Sequence, residues 1–155
     1  MRTPHQTLQL FLDEVAGAVM RSDYAAYRER VTVPFQLITH TANLHIDNDA
    51  DLRQGFETFA QTLRVQRITD YIRLVEGAEE MDDVLITGRY VTHMMAGGHR
   101  VIPPFRSQIT LRHEDGRWRA ASITNALANS RWPLLLPVVT PNEDAEGRVT
   151  WPISP

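Results

Sequence analysis

The chain contains no cysteine and no lysine. The first absence removes disulfides, thiolate metal sites and a cysteine nucleophile together. The second removes Schiff-base chemistry, an amine general base and the lysine of a phosphate-binding loop. All 16 basic side chains are therefore arginines, charged at any ordinary pH. No apolar run approaches the roughly 20 residues of a membrane span. The opening residues, Met1-Arg2-Thr3-Pro4-His5-Gln6, lead into a pattern containing Asp13 and Glu14 rather than the apolar centre of a secretory signal. A cytoplasmic protein with no membrane partner is the expectation. With a formal charge of −3 and a pI near 6.0, no broad basic face is available for nucleic acid. The densest basic cluster, Arg112, Arg117 and Arg119, flanks a turn at Asp115-Gly116, where charged residues ordinarily reach water.

What is present fits one domain, because 155 residues lie close to the commonest domain size. Thr7 to Met20 carries Leu8, Phe11, Leu12, Val15, Ala18 and Val19 at the spacing of one buried helical stripe, with Thr3-Pro4 as its start. Ser22-Asp23 caps a short second helix with Tyr24, Tyr27 and Val31 on one side, ended by Pro34. Phe35 to Thr41 and Leu44 to Ile46 read as strands. Asp47-Asn48-Asp49 then caps a third helix, in which Leu52, Phe56, Phe59, Ala60 and Leu63 form the clearest helical stripe of the chain.

Four longer strands follow: Ile68 to Val75, Val84 to Met95, Val101 to His113 and Trp118 to Leu127. Gly77, Gly97-Gly98 and Asp115-Gly116 suit the turns between them, and Pro103-Pro104 bulges the third strand or delays its start to Phe105. Helices first and a meander after mean an α+β fold rather than an alternating one. A curved antiparallel sheet covered by helices on one face can enclose a pocket. Beyond Leu127 the pattern dissolves. Residues 128–155 read as an extended, proline-punctuated arm in which Trp132, Leu134, Leu135, Leu136, Val138 and Val139 require cover. That cover is either the pocket mouth or a partner subunit. The polar stretch from Pro141 to Gly147 favours the partner, with Trp151 docking beyond it.

Helices of this order, with Arg21-Ser22-Asp23-Tyr24 between the first two, Val33-Pro34-Phe35 at the first strand and Glu114-Asp115-Gly116-Arg117-Trp118-Arg119 at the last hairpin, resemble the SnoaL-like branch of the nuclear transport factor 2 superfamily. The resemblance covers Gln6 to Leu127, so residues 1–127 form the expected domain. It implies a cystatin-like cone: N-terminal helices packed on a strongly curved, mostly antiparallel sheet around a pocket. It also implies a homodimer through the outer sheet face. Relatives range from polyketide cyclases, isomerases and dehydratases to scaffolding subunits, so function has to be argued from the site. The ketosteroid isomerase pattern needs a tyrosine, a base and a second acid, and these positions fall at Val15, near Thr39, and near Arg106 or Ser107. That chemistry is not expected here.

The expected function is binding of a small, largely apolar organic molecule, with a cyclase, isomerase or dehydratase activity and a non-catalytic accessory role as alternatives. Asp70 shares strand parity with Ile72 and Leu74 and is one candidate acid, although an aspartate at a strand start is readily exposed. His40 and His93 are candidate lone bases. The pairs His40/His45 and His93/His99 straddle a turn or change strand face without a companion carboxylate, so no metal is expected, and no cofactor either. Tyr24, Tyr27, Thr39, Tyr90 and Ser107 are candidate ligand-binding hydroxyls, or else satisfy nearby backbone. Tyr90 is placed inward because its strand face, with Ile86, Thr92 and Met94, lacks the arginine of the opposite face of Arg89, Val91, His93 and Met95. Trp118 reads as core.

Overall fold

The computed structural model describes residues 1–153. Helix α1 (Pro4–Met20) opens on a capping box: Thr3 Oγ1 accepts from the Gln6 amide, and Gln6 Oε1 accepts from the Thr3 amide at 2.9 Å. Its stripe of Leu8, Phe11, Leu12, Val15 and Val19 is buried, as the spacing requires. Helix α2 (Tyr24–Arg28) is capped by Asp23, and α3 (Asp49–Val65) by Asn48, whose Oδ1 accepts from the Asp51 amide at 2.8 Å. Strand β1 (Val31–Ile38) begins earlier than the sequence suggests. Val31 belongs to it rather than to α2, because Val31-Thr32-Val33 is a β-branched run and a five-residue helix carries too few turns to reveal its period. Pro34 is tolerated inside the strand because the pairing register shifts between Val31 and Gln36, so no ladder amide is needed there.

The remaining strands are β2 (Asn43–Ile46), β3 (Asp70–Met81), β4 (Leu85–Ala96), β5 (His99–Arg100), β6 (Phe105–Glu114) and β7 (Arg117–Asn125). Pro103-Pro104 does delay β6 to Phe105. The β3–β4 turn is not at Gly77, which lies within β3 where the register shifts. It falls at Asp82-Asp83, whose φ angles are 50° and 58°. Aspartate tolerates this left-handed pair better than most residues do. The register shift leaves Glu76 unpaired as a bulge, and Gly77 follows it, paired with Arg89.

The main sheet runs β2-β1-β7-β6-β4-β3, with β1 parallel to β7, the other main-sheet pairs antiparallel, and β5 attached to β4. Two devices fix α1 across it. Gln9 Nε2 donates to the Arg73 carbonyl at 2.7 Å while its Oε1 accepts from the Val75 amide at 2.9 Å, joining helix to strand. At Gly88 an added Cβ would stand 2.3 Å from Leu8 Cδ2 and 2.9 Å from the Gly77 carbonyl, so only glycine admits the helix this close. Helix α3 buries Leu52, Phe56, Ala60 and Leu63 and packs against α1 and α2 on the same face. Phe59 is only partly buried, and Trp118 is half-buried against His113 at a ring separation of 4.8 Å. Among the described residues no helix is long and apolar enough to cross a membrane.

Holding two consecutive L-residues in the left-handed region costs stability. Asp83→Gly is expected to raise the unfolding free energy by about 1 kcal/mol, read from chemical denaturation. A loss of stability would show that the Asp83 side chain is needed for the turn.

Candidate functional site

The concave face of the sheet, α1, α2 and α3 enclose a cavity of about 150 Å³. Phe11, Val15 and Val19 reach it from α1, Tyr27 from α2, and Phe56 and Phe59 from α3. Strand side chains complete the wall, Phe35 and Leu37 from β1 and Ile109 from β6 among them. An engineered apolar cavity of similar volume holds benzene, so the space suits a ligand of about one ring. Polar groups are few and cross the inner sheet face in a row. Arg73 on β3 pairs with Thr92 on β4, and Tyr90 on β4 pairs with Ser107 on β6, which in turn pairs with Asn125 on β7. All five line the cavity.

Arg73 is the unusual member, only 6% exposed. Its Nη2 donates to the Leu12 carbonyl at 3.1 Å, while its buried Nε has no partner among the described residues. The guanidinium carbon lies 5.1 Å from the Tyr71 ring centroid and 5.6 Å from that of Tyr90. Burial works against the charge and the surrounding phenols work for it, with the balance favouring the charged form. Burial also pushes the Tyr27 and Tyr71 hydroxyls above the ordinary tyrosine value. At neutral pH they are protonated and supply no counter-charge.

The arm lies along the cavity and narrows it. Trp132, Leu134 and Pro137 line it, and Trp132 Nε1 donates to the Asp51 carbonyl of α3 at 2.8 Å. The indole lies flush on Gly55, where a Cβ would meet Trp132 Cζ2 at 1.8 Å. Buried Asn129 fastens the segment at both ends: its Nδ2 donates to the Leu136 carbonyl at 3.1 Å and its Oδ1 accepts from the Val138 amide at 2.9 Å. The first half of the arm thus lies on its own domain, where the sequence favoured a reach to a partner. Apolar character alone cannot say which apolar surface is nearest. Leu135 and Val138 stay exposed, as does Trp151, expected to dock; a small hairpin of β8 (Asn142–Glu143) and β9 (Val149–Thr150) lies between Val138 and Trp151.

The candidate residues divide. Tyr27, Tyr90 and Ser107 line the cavity, whereas Tyr24 and Thr39 do not. Tyr24 donates to Asp49 Oδ1 at 2.7 Å; burial and this bond push its hydroxyl up to about 12, while the same bond, helped by Arg28, holds the Asp49 carboxyl low. Thr39 is buried, but its hydroxyl donates to the Asn129 carbonyl at 2.6 Å and so anchors the arm. None of the candidate acids and bases reaches the cavity. Asp70 is exposed and accepts from the Thr69 hydroxyl at 2.9 Å, and His40 is exposed at a strand end. His93 points to the outer face, its Nδ1 3.0 Å from Arg100 Nη1, with burial and that arginine lowering its pKa. The β3 parity is the reverse of the one that put Asp70 inward: Tyr71, Arg73 and Val75 face in, while Ile72 and Leu74 face out at 42% and 51% exposure. A charged residue in a strand reads as outward, and this hid Arg73. Its signal was the parity shared with Tyr71 and Val75.

Gly55→Ala should favour α3 intrinsically by about 1 kcal/mol and yet unseat Trp132. Trypsin cleavage after Arg131 is expected to accelerate at least tenfold while the far-ultraviolet dichroism stays unchanged. Equal cleavage rates in the two proteins would show that the indole is not held by α3.

No family model matches the sequence, and no curated protein matches it. Solved structures do match. A nuclear transport factor 2-like protein of unknown function from Shewanella oneidensis MR-1 aligns at a TM-score of 0.62 and 11% identity, covering 80% of this chain and 99% of its own. A nuclear transport factor 2-like protein of unknown function from Pseudomonas putida KT2440 aligns at 0.55 and 10%, covering 97% and 96%. A domain of unknown function with a cystatin-like fold from Nostoc punctiforme PCC 73102 aligns at 0.58 and 11%, covering 81% and 78%. At such identities the likeness concerns the fold alone. Helices on a curved, mostly antiparallel sheet that does not close into a barrel are the nuclear transport factor 2-like, cystatin-like cone fold, and this chain has it.

Proposed function

We propose that the protein binds a small, largely apolar organic molecule of about one ring in the cone cavity. The observation that carries this reading is the wall itself: an apolar enclosure of about 150 Å³ with a short polar row and, among the described residues, no carboxylate or imidazole. Pockets of this make hold a ligand by apolar contact and orient it with a few polar groups. The enzyme alternatives need a proton acceptor near neutral pH. Tyr27 and Tyr71 are held protonated by burial and arginine does not deprotonate, so the wall supports binding rather than proton shuttling. Saturating benzyl alcohol is the test. At a hundredfold excess over its Kd it should stabilise the fold by about 2.7 kcal/mol and raise Tm by several degrees, and Ser107→Phe, which fills the cavity, should erase the shift. Failure of benzyl alcohol to move Tm or to give a calorimetric signal rejects the reading.

The partner of the outer sheet face is, on the same footing, a second copy of this chain. Exposed Ile72 and Leu74 adjoin Val91 and Met95, beside the Glu76–Arg106 ion pair, whose nitrogen–oxygen distances are 2.5 and 3.1 Å. A strip that presents both charges next to apolar side chains is self-complementary across a twofold axis. The neighbouring part of the face is a polar trough lined by Arg89, Gln108, Thr110 and Thr124, which suits a rim. Light scattering should report twice the 17.7 kDa chain mass, and Leu74→Glu should halve it. A monomeric wild-type protein at micromolar concentration would remove the interface.

A further inference from the structure

The cavity wall holds one permanent charge, and among the described residues no carboxylate in that wall answers it; the Tyr90 side chain is a neutral partner. Arg73 is nearly fully buried, its Nε lacks a partner among the described residues, and the groups packed around the guanidinium are the phenols of Tyr27, Tyr71 and Tyr90. A buried charge without an opposite charge is unfavourable, and proteins seldom keep one without a use. A bracing role does not account for it. The joint between α1 and β3 is already made by Gln9, which bonds the backbone on both sides of residue 74, and Arg73 adds a single bond to a carbonyl inside a helix. The tyrosine faces soften the cost of burial but carry no net charge. On the outer face Arg106 grips the Glu76 carboxylate with Nε and Nη2, the ordinary complement of an arginine fork; Arg119 shares an unpartnered buried Nε but does not line the cavity. At Arg73 no corresponding acid lines the cavity among the described residues, and the side chain borders the cavity space.

We infer that the ligand is an organic anion, a single-ring or similarly sized apolar carboxylate whose acid group rests against Arg73 while its body fills the Phe11, Phe59 and Ile109 side of the cavity. The inference rests on the reading of the cavity as a binding site and narrows it to a chemical class. Thr92, the cross-strand neighbour of Arg73, and the Tyr90 hydroxyl are the nearby donors for the second carboxylate oxygen. The apolar wall accounts for the remainder of the molecule. An incoming carboxylate also removes the energetic burden of the unpaired guanidinium, so charge recognition here works against a partner that is already desolvated and fixed.

Titration calorimetry of the full chain with sodium benzoate and with benzyl alcohol, equal in size and different in charge, decides the matter. Benzoate is expected to bind at least tenfold more tightly than benzyl alcohol. In Arg73→Met, which keeps the volume and removes the charge, the preference should vanish while benzyl alcohol still binds. The wild-type ratio alone is sufficient should that variant fail to fold. Benzyl alcohol binding as tightly as benzoate, or more tightly, overturns the anion assignment and leaves the cavity reading standing. Binding of neither probe overturns both. A tenfold preference that survives in a folded Arg73→Met protein places the anion elsewhere and overturns the role given to Arg73.

Discussion

A sheet bent around a cavity exposes more apolar surface on its concave side than its three helices cover, and the rest of this structure follows from that constraint. Helix α1 is brought close to the sheet by the missing side chain at Gly88 and held in register by Gln9. Helix α3 packs against α1 and α2 and adds Phe56 and Phe59 to the cavity wall. What remains open is covered by residues beyond the last long strand. Their proline content keeps them from forming a helix but allows an extended lid. Trp132 completes the enclosure by resting on Gly55, so a glycine in the middle of α3, unfavourable for the helix itself, is explained by the lid.

That closure sets the character of the interior. Side chains around an enclosed space lose contact with water, which weakens acids and bases as charge carriers and keeps phenols protonated. The polar row of Arg73, Thr92, Tyr90, Ser107 and Asn125 contains no carboxylate and no imidazole. The chain's acids lie on helix caps, turns and the outer face, in ion pairs such as Arg28–Asp49 at 2.9 Å, where water screens them. Burial and charge are thereby separated, with Arg73 the exception. A permanently charged group inside that wall is the most distinctive chemical feature of the cavity.

The helices, the meander and the cone could be read from the chain because their signals are local. A 3.6-residue stripe in α1 and α3, a cap at Thr3 or Asn48, and a turn at Asp115-Gly116 each involve neighbours in sequence, and each stands where its pattern put it. Local signals also misled where two were in competition. Gly77 looked like a turn beside Asp82-Asp83, which carried the positive φ angles, and Val31 matched a helical face as well as it matched a strand. The inward placement of Tyr90 followed from alternation along β4 and agrees with the cavity wall. The same reasoning on β3 failed because one face held Ile72 and Leu74 and the other an arginine, and polarity alone chose the wrong one.

The sequence by itself determined the elements, their order and the absence of thiol and amine chemistry, since these depend on residue type and short-range spacing. Only the tertiary structure decided that Arg73 faces inward, that Asp70, His40 and His93 are excluded from the cavity, and that Thr39 serves the arm rather than a ligand. The reason is physical. Which side of a strand becomes the interior depends on where the helices and the arm come to rest, and those contacts join residues as distant as Gln9 with Val75 and Asp51 with Trp132. No pattern confined to one element records them.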